Sequence, residues 1–173
     1  INQPIANARL FASLKNSGIY SNIPRRFDSL QWYNNSANLP SSISFSNLDG
    51  FSYNLIGITR QDHKIYFSND LAFSWHPSET DIPNVTNLSI SQNDQTPTGG
   101  GRVAIANSGC GVFKSVDQGK TWQNITNNLP ANCSPNNDAI VQAIDFQHYL
   151  VGSNKVYVTR DGGKTWNALA AIP

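Results

Sequence analysis

A tryptophan returns at positions 32, 75, 122 and 166, at intervals of 43, 47 and 44 residues, and the last three close one phrase. The copies read Ser68-x-Asp70-x-Ala72-x-Ser74-Trp75, Ser115-x-Asp117-x-Gly119-x-Thr121-Trp122 and Thr159-x-Asp161-x-Gly163-x-Thr165-Trp166. The stretch Phe27-Asp28-Ser29-Leu30-Gln31-Trp32 keeps little beyond its last residue. An apolar-Pro pair follows each tryptophan at nearly constant distance: Leu39-Pro40, Ile82-Pro83, Leu129-Pro130 and Ile172-Pro173. Self-similarity at this period restricts the chain to a repeat architecture, in which each module buries one face only by stacking on its neighbour.

Alternation of apolar and polar residues gives each module four strands. In the third they are 87–92, 102–106, 111–115 and 120–125; in the fourth 139–146, 149–152, 155–159 and 164–169. The second offers 43–48, 54–59, 64–68 and 73–76, and the first 9–14, 18–22 and 30–33, with 1–8 left for an innermost strand. Four short strands without a helix fit a propeller blade better than a sandwich, because radial repetition hides most sheet edges. The expected fold is an all-β propeller of four antiparallel blades at about 1–40, 41–83, 84–130 and 131–173, forming one domain. Asp117 and Asp161 are placed to accept hydrogen bonds from turn amides, Gly119 and Gly163 to take positive φ, and the indoles to wedge between sheets in equivalent surroundings. Ala72 stands where the glycines do, so the second turn is expected to be less regular.

The phrase resembles the Asp-box, or bacterial neuraminidase repeat, of sialidases, sortilin-type receptors, xyloglucanases and photosystem assembly factors. The resemblance implies a hairpin between the third and fourth strands of a blade, on the rim and away from the ligand-binding face. It also implies that Ser68, Asp70, Trp75, Ser115, Asp117, Gly119, Thr121, Trp122, Thr159, Asp161, Gly163, Thr165 and Trp166 are structural. Six to eight blades are usual in that family. Four visible modules leave a closed ring, a half-ring that dimerises, or part of a larger propeller.

Charged residues make up 13% of the chain and the net charge is +1, so it lacks the basic field that holds a nucleic-acid backbone. No apolar run approaches the roughly 18 residues that span a bilayer. An Asn-, Ser- and Thr-rich chain with no methionine and a single glutamate, Glu79, suits a mature exported protein at the cell surface, in the periplasm or secreted. In that setting Cys110 and Cys133, the only cysteines, are expected to form one disulfide, the alternative being two free buried thiols. Five Asn-x-Ser/Thr triplets, at 34, 84, 87, 124 and 132, do not settle the source.

Links from second to third strand and from blade to blade gather on the face opposite the boxes, which is where ligands meet a propeller. The most charged stretch there is Arg60-Gln61-Asp62-His63-Lys64, and Arg60, Asp62, His63 and Lys64 are the candidate binding residues. Catalytic patterns are thin. The sialidase resemblance would require an arginine triad, a tyrosine-glutamate pair and a Phe/Tyr-Arg-Ile-Pro motif, which Asn22-Ile23-Pro24-Arg25-Arg26 only shuffles. A xyloglucanase-like cleft would need two aspartates facing across two propellers. Histidines 63, 76 and 148 lack metal-ligand spacing, and Gly99-Gly100-Gly101 lacks the Lys-Ser/Thr of a phosphate loop, so no cofactor or metal is expected. The resulting expectation is a non-catalytic propeller that binds a protein or glycan, with a glycoside hydrolase and a membrane-complex assembly factor as alternatives.

Overall fold

Short β-rich segments joined by turns build four separate antiparallel sheets in the computed structural model, which describes residues 10–15, 17–22, 32–40, 43–91, 102–109, 111–129, 139–152 and 155–169. The first sheet holds β1 (Leu10–Leu14), β2 (Gly18–Asn22) and β3 (Tyr33–Asn34). The second holds β4 (Phe45–Phe51), β5 (Asn54–Thr59), β6 (Ile65–Ser68) and β7 (His76–Pro77) in sequence order. The third holds β8 (Val85–Ile90), β9 (Ala104–Ser108), β10 (Gly111–Ser115) and β11 (Gln123–Asn124). The fourth holds β12 (Ile140–Ala143), β13 (Tyr149–Gly152), β14 (Val156–Thr159) and β15 (Asn167–Ala168). Every pairing is between consecutive strands, and no helix occurs among the described residues. The chain is thus an all-β propeller array of four blades. The first blade shows three strands among the described residues, and the expected innermost strand at 1–8 lies outside them.

Innermost strands stand side by side, β4 next to β8 and β8 next to β12. Both β4 and β8 carry a bulge at the same place, between Phe45 and Asn47 and between Val85 and Asn87. Neighbouring blades are stitched by side chains that reach the next backbone. Asp49 Oδ2 accepts the Ile90 amide at 2.7 Å, Asn87 Oδ1 the Val141 amide at 3.0 Å, and Ser89 Oγ the Ala143 amide at 3.2 Å.

Three apolar clusters fill the spaces between sheets, and each holds one indole. Trp75 packs with Ile19, Ile43, Phe45 and Leu55 across the first and second blades. Trp122 packs with Ile56, Ile58, Ile65 and Phe67 of the second blade and Leu88, Ala104 and Ala106 of its own. Trp166 joins Val103, Ile105, Val112 and Ile125 to Val141, Tyr149 and Val151. Each indole therefore belongs to its own blade and is received by the preceding one. Trp75, Trp122 and Trp166 are 1%, 8% and 3% exposed, whereas Trp32 is 44% exposed. The expectation of four equivalent indoles fails at Trp32, because no sheet among the described residues lies before the first blade to receive it.

The outer strands also differ from expectation. Instead of 73–76, 120–125 and 164–169, they are two-residue strands that begin after the tryptophan. The cause is local: the box turn holds the chain up to the indole, and the tryptophan amides are taken by the preceding blade. Trp122 N–H donates to Thr80 Oγ1 at 3.0 Å and Trp166 N–H to Asn128 Oδ1 at 2.8 Å, so neither joins the ladder. The first strand of the third blade starts at Val85 and ends at Ile90 rather than covering 87–92.

Candidate functional site

At one end of the second, third and fourth blades lies the box. In the fourth, the Thr159 hydroxyl donates to Asp161 Oδ1 at 2.7 Å and accepts the Gly163 amide at 2.9 Å. Asp161 in turn accepts the Thr165 amide at 2.9 Å and the Thr165 hydroxyl at 2.6 Å. The third box repeats this with Ser115, Asp117, Gly119 and Thr121. Contrary to expectation, the second box is no less regular. Ala72 takes φ 66° and its amide meets Ser68 Oγ at 2.9 Å, the same as Gly119 and Gly163, while Asp70 holds the Ser74 amide and hydroxyl at 2.9 and 2.6 Å. Ala72 is fully buried in the first inter-blade cluster, so its methyl gains apolar burial there while its backbone carries left-handed strain. Two boxes are tied to the first hairpin of their own blade, Leu71 N–H to the Tyr53 carbonyl and Gly162 N–H to the Gln147 carbonyl, both at 3.0 Å.

Hydrogen bonds from Thr165 and Thr159 hold the Asp161 carboxyl far below the ordinary carboxylate range. Burial opposes ionisation of Asp70 and Asp117, but the hydroxyls and amides of Ser74 and Thr121 outweigh it, and both are lowered. A carboxyl with a depressed native value adds stability above its unfolded value of about 3.9 and loses it as pH falls toward the native value. The urea midpoint is therefore expected to drop between about pH 4 and pH 2. Replacing Asp70, Asp117 and Asp161 together with asparagine should flatten that drop, and urea titrations at stepped pH read it directly.

The opposite end carries the turn between β5 and β6. Thr59 is fully buried, and its hydroxyl donates to Asp62 Oδ1 and accepts the Lys64 amide at 2.8 Å, while its own amide donates to the Lys64 carbonyl at 2.9 Å. These bonds close the turn and lift Arg60, Gln61, Asp62, His63 and Lys64 into solvent. The Arg60 amide donates to the Ser44 carbonyl at 2.8 Å, and the His63 carbonyl accepts the Val85 amide at 3.2 Å, linking the turn to the start of the third blade. His63 adopts φ 55°. Asp62 thus does structural work inside the turn, while the Arg60 and Lys64 side chains form its cationic edge, with His63 exposed between them. Segment 78–84 leads from β7 into the next blade: the Ser78 amide donates to the Ile65 carbonyl at 2.9 Å, and the Glu79 amide to the Lys120 carbonyl of the third box at 2.9 Å.

Several polar groups important to the array carry no repeat signature. Thr59, Thr80, Asn127 and Asn128 are examples: Asn127 Nδ2 donates to the Gly163 carbonyl at 2.5 Å and Asn128 Nδ2 to the Trp166 carbonyl at 2.8 Å. Their one sequence signal is position, since Thr80 and Asn127 both stand five residues after a tryptophan and before the apolar-Pro pair. Glu79 faces Lys120 at 3.3 Å across the second and third blades, an exposed pair worth about 0–1 kcal/mol. Asp145 accepts the Gln147 and His148 amides at 2.8 and 2.9 Å and the His148 ring at 2.8 Å, which describes a turn. A hollow of about 20 Å³ between the second and third blades, lined by Phe51, Ile56, Ile90 and Arg102, has room for a water and none for a sugar. Among the described residues no three His, Cys, Asp or Glu gather as a metal site. Cys110, Cys133 and Gly99-Gly100-Gly101 lie outside the described residues.

The fold recurs in solved structures. A GH74 xyloglucanase from Xanthomonas campestris superposes over 94% of this chain with a TM-score of 0.61 at 15% identity, and YCF48 from Cyanidioschyzon merolae over 91% with 0.54 at 17%. The chain spans 28% of the first protein and 55% of the second. At these identities the likeness is one of β-propeller fold. No protein-family model matches the sequence, and no curated protein matches it either.

Proposed function

We propose that this chain is an Asp-box propeller domain of an exported protein, one that binds a protein or glycan through the face bearing the Arg60–Lys64 turn rather than performing catalysis. The observation that carries the reading is the employment of seven of the eight acids among the described residues; Asp81 stands exposed, and Asp28, Asp94 and Asp138 lie outside those residues. Asp49 joins two blades, Asp70, Asp117 and Asp161 close boxes, Asp62 and Asp145 close turns, and Glu79 faces Lys120. Glycoside hydrolysis needs a pair of carboxyls standing free on either side of one bond. Of the exposed turn's two cations, the Arg60 guanidinium donates to the Phe45 carbonyl at 3.5 Å while Lys64 stands exposed, and cationic and amide groups at a loop edge suit acidic or hydroxylated partners.

The repeated box and its identical hydrogen bonds support membership of the Asp-box group, and residues 1–173 are read as one propeller domain. The cysteine pair, 110 and 133, is read as a disulfide between loops of adjacent blades. A second reading, glycoside hydrolase, draws on the likeness to the xyloglucanase and shares only its fold. The near-neutral charge counts against an assembly factor that docks through a basic patch.

A glycan array tests the binding class, and the variant carrying Arg60→Ala and Lys64→Ala should weaken any captured ligand at least about tenfold. Thermal melting of that variant should stay within a few degrees of the parent, since neither side chain is buried. Robust turnover of fluorogenic glycosides would overturn the non-catalytic reading.

A further inference from the structure

The three boxes share their hydrogen bonds but differ in two side chains, and both differences meet where the third blade joins the fourth. The residue before the box is Phe67 in the second blade and Lys114 in the third. Phe67 is 9% exposed, inside the apolar cluster between the second and third blades. Lys114 pairs with Ile105, a member of the Trp166 cluster, so its side chain turns toward the fourth blade. The residue after the box aspartate is Leu71, Gln118 and Gly162 in turn. Leu71 and Gln118 take φ 63° and 66°, so this corner of the box accepts a side chain, and the backbone does not demand the glycine found at φ 74° in the fourth.

Together the two changes make an open cationic notch. The Lys114 ammonium lies 4.3 Å from the centre of the Phe146 ring and 5.5 Å from that of Tyr149. A Cβ on Gly162 would stand 3.3 Å from Lys114 Nζ, so the missing side chain is what leaves the ammonium uncovered. Gln118, at the same corner of the third box, lines the water-sized hollow between the second and third blades.

No acid among the described residues pairs with half-buried Lys114; the ion pairs there join Glu79 to Lys120 and Asp145 to His148. Asp161 in the adjoining box is held by Thr159 and Thr165, and Asp145 by the Gln147 and His148 amides. The charge that bears on Lys114 is a second ammonium, Lys164; burial first, and then that repulsion, hold the Lys114 amine below the ordinary lysine range. Ring faces attract the cation without neutralising it. Two like charges at a partly desolvated seam are destabilising until an anion joins them.

We propose that this notch binds a divalent oxyanion, a sulfate ion or a phosphate group, between the Lys114 and Lys164 ammonium groups, with Gly162 leaving the way in open. A tetrahedral oxyanion presents separate oxygens to two donors at once and balances both charges, which a chloride or a single carboxylate does not. A free ion and a phosphate monoester on a larger ligand offer the same group. The notch lies at the box end, opposite the Arg60–Lys64 turn, and is independent of the ligand reading above.

Heteronuclear NMR of the purified chain tests it, with the Lys114 side chain and the Gly162 and Gly163 amides followed as sodium sulfate, sodium phosphate or methyl phosphate replaces sodium chloride at constant ionic strength. The pH is held at about 7.5, where phosphate monoesters carry close to two charges. Saturable shifts are expected with all three oxyanions and none with chloride; weak binding of methyl phosphate beside tight sulfate would identify the free ion as the occupant and still support the site. Lys114→Gln should weaken binding at least about tenfold. Gly162→Gln, which places at this corner the residue that the third box already carries at position 118, should do the same with the fold retained. Lys155→Gln, at the opposite end of the blade, should leave binding unchanged. Shifts that do not saturate, acetate binding as tightly as sulfate, or binding that survives both Lys114→Gln and Gly162→Gln would each overturn the proposal. If one of those variants fails to fold, the other still decides the matter.

Discussion

Replacing Trp166 with alanine should cost about 3–5 kcal/mol of unfolding free energy, the upper range for removing a buried aromatic. The indole is 3% exposed among side chains of two blades, and its Nε1–H donates to the Ile125 carbonyl at 2.8 Å. Truncation leaves a cavity bounded by separate sheets that cannot collapse without shifting a blade, and it orphans a buried acceptor. Trp75→Ala should behave alike, since that indole is 1% exposed and donates to the Asn35 carbonyl at 3.0 Å in the preceding blade. Trp122 differs in one respect, because its Nε1–H donates to the Gly119 carbonyl within its own box. Trp32→Ala should change monomer stability by under about 1 kcal/mol, as expected of a half-exposed group. Urea titration of the four variants separates a repeated wedge from four unrelated tryptophans.

The second large effect is expected at a glycine. A methyl built on Gly163 would lie 2.6 Å from Ile125 Cδ1 and 2.9 Å from Ile125 Cβ, at φ +92°. Left-handed strain and overpacking together put the cost of Gly163→Ala at about 2–4 kcal/mol. Gly119→Ala should cost less, because its nearest neighbour at 2.9 Å is the Cδ1 tip of Ile56, which can turn aside. Gly152→Ala should stay within about 0.5 kcal/mol, having nothing within 4 Å of the added carbon. The order Gly163, Gly119, Gly152 by denaturant midpoint follows from how tightly the preceding blade presses on each site. Ala72 shows that a methyl is tolerated at the same turn position where that blade leaves room.

Blade count and strand order were readable from the sequence because the box is a local device. Ser or Thr, Asp, and the hydroxyl before tryptophan all bond within a few residues, so spacing alone specifies the turn. The outer strands depart from the sequence expectation because what ends the turn is not local. Thr80 and Asn128 take the tryptophan amides from about 40 residues away, and no shared residue type marks them. Asp49, Asn87 and Ser89 do one job with three chemistries, so repetition could not disclose it. At the candidate site the charged run 60–64 was legible as composition. The part Asp62 plays inside the turn depends on buried Thr59, which reads as an ordinary strand residue. Trp32 shows the limit of the repeat argument, for the indole is buried in the three blades that follow a described blade and 44% exposed in the first.

Hydrogen exchange at the indole N–H groups, followed by NMR, tests most directly whether each box wedges its blade onto the one before. The signals of Trp75, Trp122 and Trp166 should exchange together, only through global unfolding. If any one of those three exchanges at the rate of an unfolded peptide while the strands stay protected, the wedge is not what joins the blades.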